Sequence, residues 1–312
     1  MLKVSHGNFW YIQTGRRSLI DEKFELFLTF LPQDLQLKYR EVVEIKSKNW
    51  GAQKGGNITF QKHPEQIVKA RNLAHKKIKE RANSQFDINQ QITIDIAEFL
   101  GAFSGDGCSN VYSGHHFTSF AGDSRYDWKY YHERIIPTTK KYFNVEHQTI
   151  RKRGNCMWVT IHSKLLHKMI TERFKMPAGE KWNKVLVPEE IMEGKLEHKL
   201  AFVRGAFDTD GCVFFDKRPT YKEPYMRVDI TMVNVPILTQ LNQILTEAGV
   251  PSKVLGNGKH LHVTSKKDVR KFFEIIGSSN ERHISKIETK YPDFRSWNPA
   301  FSRENPSTLL TH

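Results

Sequence analysis

The strongest constraint on this chain is a stretch that occurs twice. Residues 97–109 read AEFLGAFSGDGCS and residues 201–215 read AFVRGAFDTDGCVFF, both following the pattern small-x-x-x-Gly-Ala-Phe-x-x-Asp-Gly-Cys. A second echo pairs VTIHSKLLHKMI (159–170) with LHVTSKKDVRKFF (261–273). Lys164 and Lys266 are 102 residues apart, and Asp106 and Asp210 are 104 apart. Two independent echoes at nearly one offset mean a duplicated unit of about a hundred residues, an ordinary domain size.

Within each copy the hydrophobic period changes from helical to alternating and back. Ile92, Ile96, Phe99, Leu100 and Phe103 repeat at helical spacing until Gly107 stops the helix. In YMRVDITMV, Met226, Val228, Ile230 and Met232 share one face and Tyr225, Arg227, Asp229 and Thr231 the other, as in a half-buried strand. VPILTQLNQILTEAGV then predicts a helix with Gly249 beyond its end. Strands around 252–256 and 260–264 and a helix over 266–276 complete this copy. The other copy has strands near 110–121, 145–153 and 156–162, with helices near 126–143 and 163–174. The expected fold is α+β, αββαββα twice over.

Ala97, Gly101 and Gly105 fall four apart on one predicted helix, and Ala201, Gly205 and Thr209 on the other. Each helix therefore carries a flat stripe along which a second backbone can approach closely. A mid-helix glycine costs about 1 kcal/mol against alanine, so the stripes point to a close contact that returns more than this. Packed together, the helices would set Asp106 and Asp210 side by side, at helix ends where the backbone dipole is already negative. Two such carboxylates repel unless a cation lies between them, and a hard divalent ion that takes oxygen ligands fits best. The plainer reading of one Asp-Gly, a helix stop and a turn, loses weight when the acid, the stripe and the glycine recur together.

With 48 Lys and Arg against 34 Asp and Glu, the formal charge of +14 is spread along the chain and favours a polyanionic partner. Three cysteines without a CxxC spacing make neither a disulfide framework nor a zinc site, which points to a reducing compartment. MLKVSHGNFWYIQ lacks the apolar core of a signal peptide, and no run nears the roughly 18 apolar residues of a membrane span. The expected location is intracellular, cytoplasmic or nucleoid-associated, or within an organelle.

FLGAFSGDG (99–107) and VRGAFDTDG (203–211) resemble the nine-residue signature of the LAGLIDADG homing endonucleases in their two-motif, single-chain form. The element order behind each signature resembles the family from residue 92 to about 290. The segments FTSFAGDSRYDWKYYHERIIP, PAGEKWNKVLVPEEI and IGSSNERHISKIE are similar to family segments as well. Ser104 departs from the pattern at the sixth position, where the second copy keeps Asp208; the sixth position is not the family's metal ligand.

The resemblance implies a pseudo-twofold monomer in which two saddle-shaped sheets lie over double-stranded DNA. It further implies site-specific hydrolysis of both strands across the minor groove with Mg²⁺, two or more ions in all. Asp106 and Asp210 are then the metal-binding acids, and the Gly105 and Thr209 carbonyls further ligands. A lysine in each half would organise the attacking water: Lys181 in the first, with Arg282, His283 or Lys286 open in the second and Lys286 carried forward. DNA reading falls to the polar strand faces, with Arg151, Arg153, Trp158, Lys217, Arg218 and Arg227 as the candidate set. Arg151 and Arg153 should share a face, with Lys152 opposite. The alternatives on the same scaffold are an RNA-splicing maturase, whose partner is an intron RNA, and a DNA-binding regulator.

The expected division is a basic, mainly helical extension over 1–90, repeats at 91–195 and 196–295, and a tail at 296–312. Helices are expected over 21–31 and about 33–46. In KHPEQIVKARNLAHKKIKER, seven Lys or Arg face two Glu after a proline suited to a first helical turn. With QKGGN before it, this segment resembles small DNA-binding modules appended to mobile-element nucleases. A solvated basic helix capping the sheet domain reads the same residues equally well.

Overall fold

The computed structural model describes residues 11, 12, 14, 18–47, 49–82, 85–256 and 258–301, so the expected C-terminal tail beyond Phe301 lies outside the described residues. Contacts divide the chain into two compact units between His75 and Lys76. In the first, helices span Asp21–Leu28, Gln33–Val42 and Trp50–Lys62, and a further helix, Pro64–Ala82, runs across the division. Pro64 opens that helix, as its fixed φ suits. Arg40 and Glu25 pair at 2.6 Å between the first two of these helices, beside an edge contact of Phe27 with Tyr39. The helix Trp50–Lys62 was not expected. It contains Gly51, Gly55 and Gly56, each lowering helix propensity by about 1 kcal/mol, which hides it from a reading by propensity.

The larger unit is αββαββα, built twice. The first motif helix, Ile94–Asp106, leads into β1 (Gly107–Tyr112) and β2 (His115–Asp123). A helical segment from Trp128 to Phe143, β3 (Gln148–Arg153), β4 (Cys156–Ile161) and a helix from Lys164 follow. The second motif helix, Leu196–Asp210, leads into β5 (Gly211–Asp216) and β6 (Tyr225–Thr231). The helix Val235–Glu247, β7 (Lys253–Leu255), β8 (His260–Val263) and the helix Lys266–Ile275 close the copy. The strands form two antiparallel sheets of identical order, β1-β2-β4-β3 and β5-β6-β8-β7.

Two local features bend this outline. The first helix after β2 contains a π-helical turn at Tyr131–Ile135, which ends two residues before Pro137. A proline lacks the N–H that an α-helical bond at that position requires, so the backbone shifts its pairing there. The β1–β2 hairpin turns through Ser113 and Gly114, both with positive φ (48° and 76°), a conformation that favours glycine.

Each sheet buries one face. Phe120, Met157, Val159 and Ile161 point inward in the first, and Val213, Met226, Val228, Ile230, Leu261 and Val263 in the second. Phe99, Phe103, Phe202 and Phe207 of the motif helices pack under them, with Phe99 edge-on to Phe120 and Phe143, and Phe207 edge-on to Phe272. The opposite faces carry the polar residues, as the period of two requires. No helix of the described residues is long and apolar enough to cross a membrane.

Candidate active site and nucleic-acid face

The motif helices touch backbone to backbone. A Cβ built on Gly101 would stand 2.0 Å from the Phe202 carbonyl oxygen, and one on Gly205 would stand 2.0 Å from that of Glu98. At Gly105 the added atom would meet Thr209 Oγ1 at 2.2 Å and Asp210 Oδ2 at 2.7 Å. At Gly101 and Gly205 the obstacle is opposing backbone, so no larger residue fits without parting the helices; at Gly105 it is the Thr209 and Asp210 side chains. Across the same contact runs an ion pair that the sequence reading missed: Glu98 and Arg204, both buried, meet at 2.9 Å. Arg204 also donates to the Ile276 carbonyl at 2.7 Å, so this buried charge is spread over two acceptors.

Both helices end in the same way. Gly107 (φ −78°, ψ 151°) and Gly211 (φ −87°, ψ 162°) are extended, and each N–H returns to a phenylalanine carbonyl, Phe103 or Phe207. Glycine is needed here for space: a Cβ would lie 2.3 Å from Phe103 Cδ2 in one copy and 2.3 Å from the Phe207 oxygen in the other. The chain thus passes from helix directly into strand. Asp106 and Asp210 are the last helical residues on either side.

Burial, then the neighbouring Asp210 charge, push the Asp106 carboxyl up to about 7, and burial pushes Asp210 up to about 6. Tyr131 donates to Asp106 Oδ2 at 2.8 Å and works against that rise. Lys181 and Arg282 draw the Asp210 value back down.

Those two cations cap the helix ends. The Lys181 ammonium donates to the carbonyls of Phe103 (2.9 Å), Ser104 (3.1 Å) and Gly105 (2.5 Å), and burial lowers its pKa. The Arg282 guanidinium donates to the carbonyls of Asp208 (3.1 Å) and Thr209 (3.0 Å). The carbonyls of Gly105 and Thr209 therefore lie in the cluster, each already accepting from one cation. A carbonyl oxygen keeps a second lone pair.

Of the three second-half candidates, the structure brings Arg282 to the end of the motif helix. Lys286 reaches the Val213 carbonyl in β5 at 3.3 Å, away from the acids, because it lies one helical turn beyond Arg282 on the helix Glu281–Glu288. His283 is fully buried against Phe207, with ring centroids 4.5 Å apart, and burial holds its pKa well below the usual range. Arg282 is placed by a network that joins the two copies. Asn280 caps its helix and donates to Asp127 Oδ1 (3.0 Å) and to the Asp208 carbonyl (2.9 Å), while Asp127 lies 3.4 Å from the guanidinium.

Asp208 has a different place. It is fully buried, accepts from the Ser278 hydroxyl (2.5 Å) and the Ser279 N–H (2.7 Å), and is pushed up to about 7 by burial. It ties the second motif helix to the segment carrying Arg282.

On the outer faces, Arg151 and Arg153 of β3 share a side, opposite Trp158 and Cys156 of β4. Lys152 turns to the other side, 4.0 Å over the Trp128 ring. Arg227 lies outward on β6, paired with Asp216 at 2.8 Å, and Arg218, just beyond β5, meets the same carboxylate at 3.1 Å. Lys217 is exposed beside it.

Residues 197–277 match the model of the LAGLIDADG-like domain. The first half repeats that stretch in signature, element order and strand order. Residues 197–277 are thus a LAGLIDADG-like domain. Among solved structures it is similar to mesophilic variants of the homing endonuclease I-DmoI, at 20% identity and TM-score 0.44, covering 59% of this chain and 94% of that one. It is similar to I-DmoI in complex with DNA and Mn, at 20% identity and TM-score 0.43, covering 60% and 97%. It is also similar to the meganuclease I-SmaMI bound to uncleavable DNA, at 14% identity and TM-score 0.40, covering 64% and 88%. Among curated proteins none matches the chain significantly.

Proposed function

We propose that this LAGLIDADG protein is a site-specific endonuclease that hydrolyses both strands of double-stranded DNA with a divalent metal, Mg²⁺ first. One observation carries the reading. Two buried acids from duplicated helices lie at dipole ends that disfavour their charge; burial holds both well above the ordinary carboxylate range, and the Asp210 charge raises Asp106 further. Unfavourable sites of this kind, recurring in both copies, fit a bound cation and have no evident use in a pure binder.

The donor set suits a hard ion: two carboxylates, with the carbonyls of Gly105 and Thr209 beside them. When bound, the metal supplies Lewis acidity at phosphate and a more acidic water. The protein's own groups do the rest. Asp106 and Asp210 hold the charge that retains the ion, and Tyr131 orients Asp106. Lys181 and Arg282 place one positive charge per copy beside the reacting phosphates, where they offset developing negative charge. The outer faces of β1–β4 and β5–β8 would follow the duplex, with Arg151, Arg153, Trp158, Lys217, Arg218 and Arg227 as the contacting set. The division into an extension over 1–90, repeats at 91–195 and 196–295 and a tail belongs to the same proposal, with the extension adding phosphate contacts.

Cleavage of a randomised DNA library, sequenced at the ends produced, tests the reading and yields the target. Mg²⁺ should support cutting by the wild type. Asp106→Asn and Asp210→Asn should lose it while binding the target in Ca²⁺ within a few-fold. Cutting of both strands at the wild-type rate by either variant would refute the two-carboxylate site. Tight binding of an intron RNA with no DNA cleavage would favour the maturase.

A further inference from the structure

The outer face of the second sheet holds a cluster that the nuclease chemistry leaves unused. β6 and β8 pair with Asp229 opposite His262 and Thr231 opposite His260. Their strand neighbours Val228, Ile230, Leu261 and Val263 are buried, so alternation turns all four outward. Asp229 Oδ2 stands 3.1 Å from His260 Nδ1, and Oδ1 stands 3.2 Å from His262 Nε2. The three ligand atoms all lie within 4.8 Å of one another.

These separations have a meaning beyond an ordinary ion pair. A tetrahedral ion with bonds of about 2.0–2.1 Å keeps its ligand atoms about 3.3 Å apart; each imidazole stands near that distance from one of the two Asp229 oxygens, and one ligand atom from each residue lies within 4.8 Å of the others. Asp229 Oδ1 is shut off from solvent yet has no hydrogen bond, although His262 Nε2 stands beside it. The Thr231 hydroxyl donates to Oδ2 at 2.9 Å, an outer contact of the kind that steadies a ligating carboxylate. Arg227, two residues away on the same face, is engaged by Asp216 at 2.8 Å. Among these contacts Asp229 thus faces two imidazoles and a hydroxyl, and no fixed cation.

We propose that Asp229, His260 and His262 bind a transition-metal ion of the zinc type, separate from the acid pair, with its remaining coordination position open on the outer face. Two imidazoles and one carboxylate suit such an ion and disfavour magnesium, which prefers an all-oxygen shell. Three protein ligands are the number that leaves room for an exchangeable fourth. The His260 side chain is 44% exposed, so an ion there has a path from solvent. In the free protein water fills the open position. Resting on the nuclease reading, a DNA phosphate oxygen or purine nitrogen takes it in the complex, and the ion pins β8 to β6 where the sheet meets the duplex.

The test uses the full chain, stripped of metal and kept in excess Mg²⁺ to occupy the acid pair, with no DNA. Zn²⁺ is titrated by calorimetry, and Co²⁺ uptake is followed by its visible d–d bands. The wild type should bind one Zn²⁺ and give a tetrahedral Co²⁺ spectrum. His262→Ala and Asp229→Asn should each weaken Zn²⁺ binding by more than about tenfold. Asp106→Asn should bind Zn²⁺ as the wild type does. The proposal is overturned if the wild type takes up no Zn²⁺ and shows no Co²⁺ bands, or if both cluster variants bind like the wild type. The wild-type Co²⁺ spectrum remains decisive should a variant fail to fold. No cleavage is measured, so failure here leaves the nuclease reading standing, and failure of that reading leaves the metal site standing.

Discussion

In the absence of metal, Asp210→Asn should make the protein more stable at neutral pH and no more stable in acid. The Asp210 carboxyl is raised from 3.8 to about 6, so the folded state binds its proton more tightly than the unfolded chain does. For a group raised in this way, stability is greatest below about pH 4, where both states are protonated. It falls as pH rises through about 6, because the ionised acid is tolerated only in the unfolded chain. The rise from 3.8 to about 6, at about 1.36 kcal/mol per pH unit, means that the ionised side chain destabilises the fold by about 3 kcal/mol at pH 8. The attractions of Lys181 and Arg282 are already contained in that value. Relief of the Asp106 carboxyl, which the Asp210 charge helps to raise, adds to it. Asparagine keeps the shape and removes the charge. Urea unfolding in EDTA at pH 4, 6 and 8 should show the variant gaining nothing at pH 4 and about 3 kcal/mol at pH 8. Mg²⁺ should then stabilise the wild type more than the variant, since only the wild type offers both carboxylates. A variant no more stable than the wild type at pH 8 would refute the account of two charges held apart only by a cation.

The other predictions follow from single contacts. Gly205→Leu should unfold the protein or separate its halves, since even a Cβ would lie 2.0 Å from the Glu98 carbonyl and overpacking costs about 1–3 kcal/mol or more; an unchanged melting temperature would show the stripe to be no interface. Lys181→Met and Arg282→Met should each lower the cleavage rate by about a hundredfold or more, as the loss of a preorganised charge does, while Lys286→Met lowers it far less; the reverse ranking would restore Lys286 as the second-half basic residue. A chain lacking residues 1–84 should still cut the same phosphodiesters, and its log K should vary less steeply with log salt, by about 0.9 for each lost phosphate contact. An unaltered footprint and salt slope in that chain would make the N-terminal lysines solvated surface charge.

The duplication, the order of elements, the flat stripes and the acid pair were all legible in the residues, because each rests on a local pattern repeated in cis. Four-residue spacing of Ala97, Gly101 and Gly105 defines one side of a helix wherever that helix ends up, and alternation in YMRVDITMV assigns inward and outward faces without reference to any neighbour. What those signals lack is the identity of the group that comes from elsewhere in the chain. Arg282, His283 and Lys286 could not be ranked from ERHISK, since all three are basic and lie on one short helix. Tertiary contacts decide among them: Asn280 anchors the helix start to Asp127 and to the Asp208 carbonyl, which aims Arg282 at Thr209, sinks His283 against Phe207 and leaves Lys286 over β5. Tyr131, a hydrogen-bond donor to Asp106 from 25 residues away, and the buried Glu98–Arg204 pair, 106 residues apart in the chain, carry no local signal at all. Likewise Asp229 meets His260 and His262 only because β8 pairs with β6 in one register. Periodicity is encoded in neighbours along the chain, whereas a site is made by side chains whose separation in sequence says nothing about their distance in space.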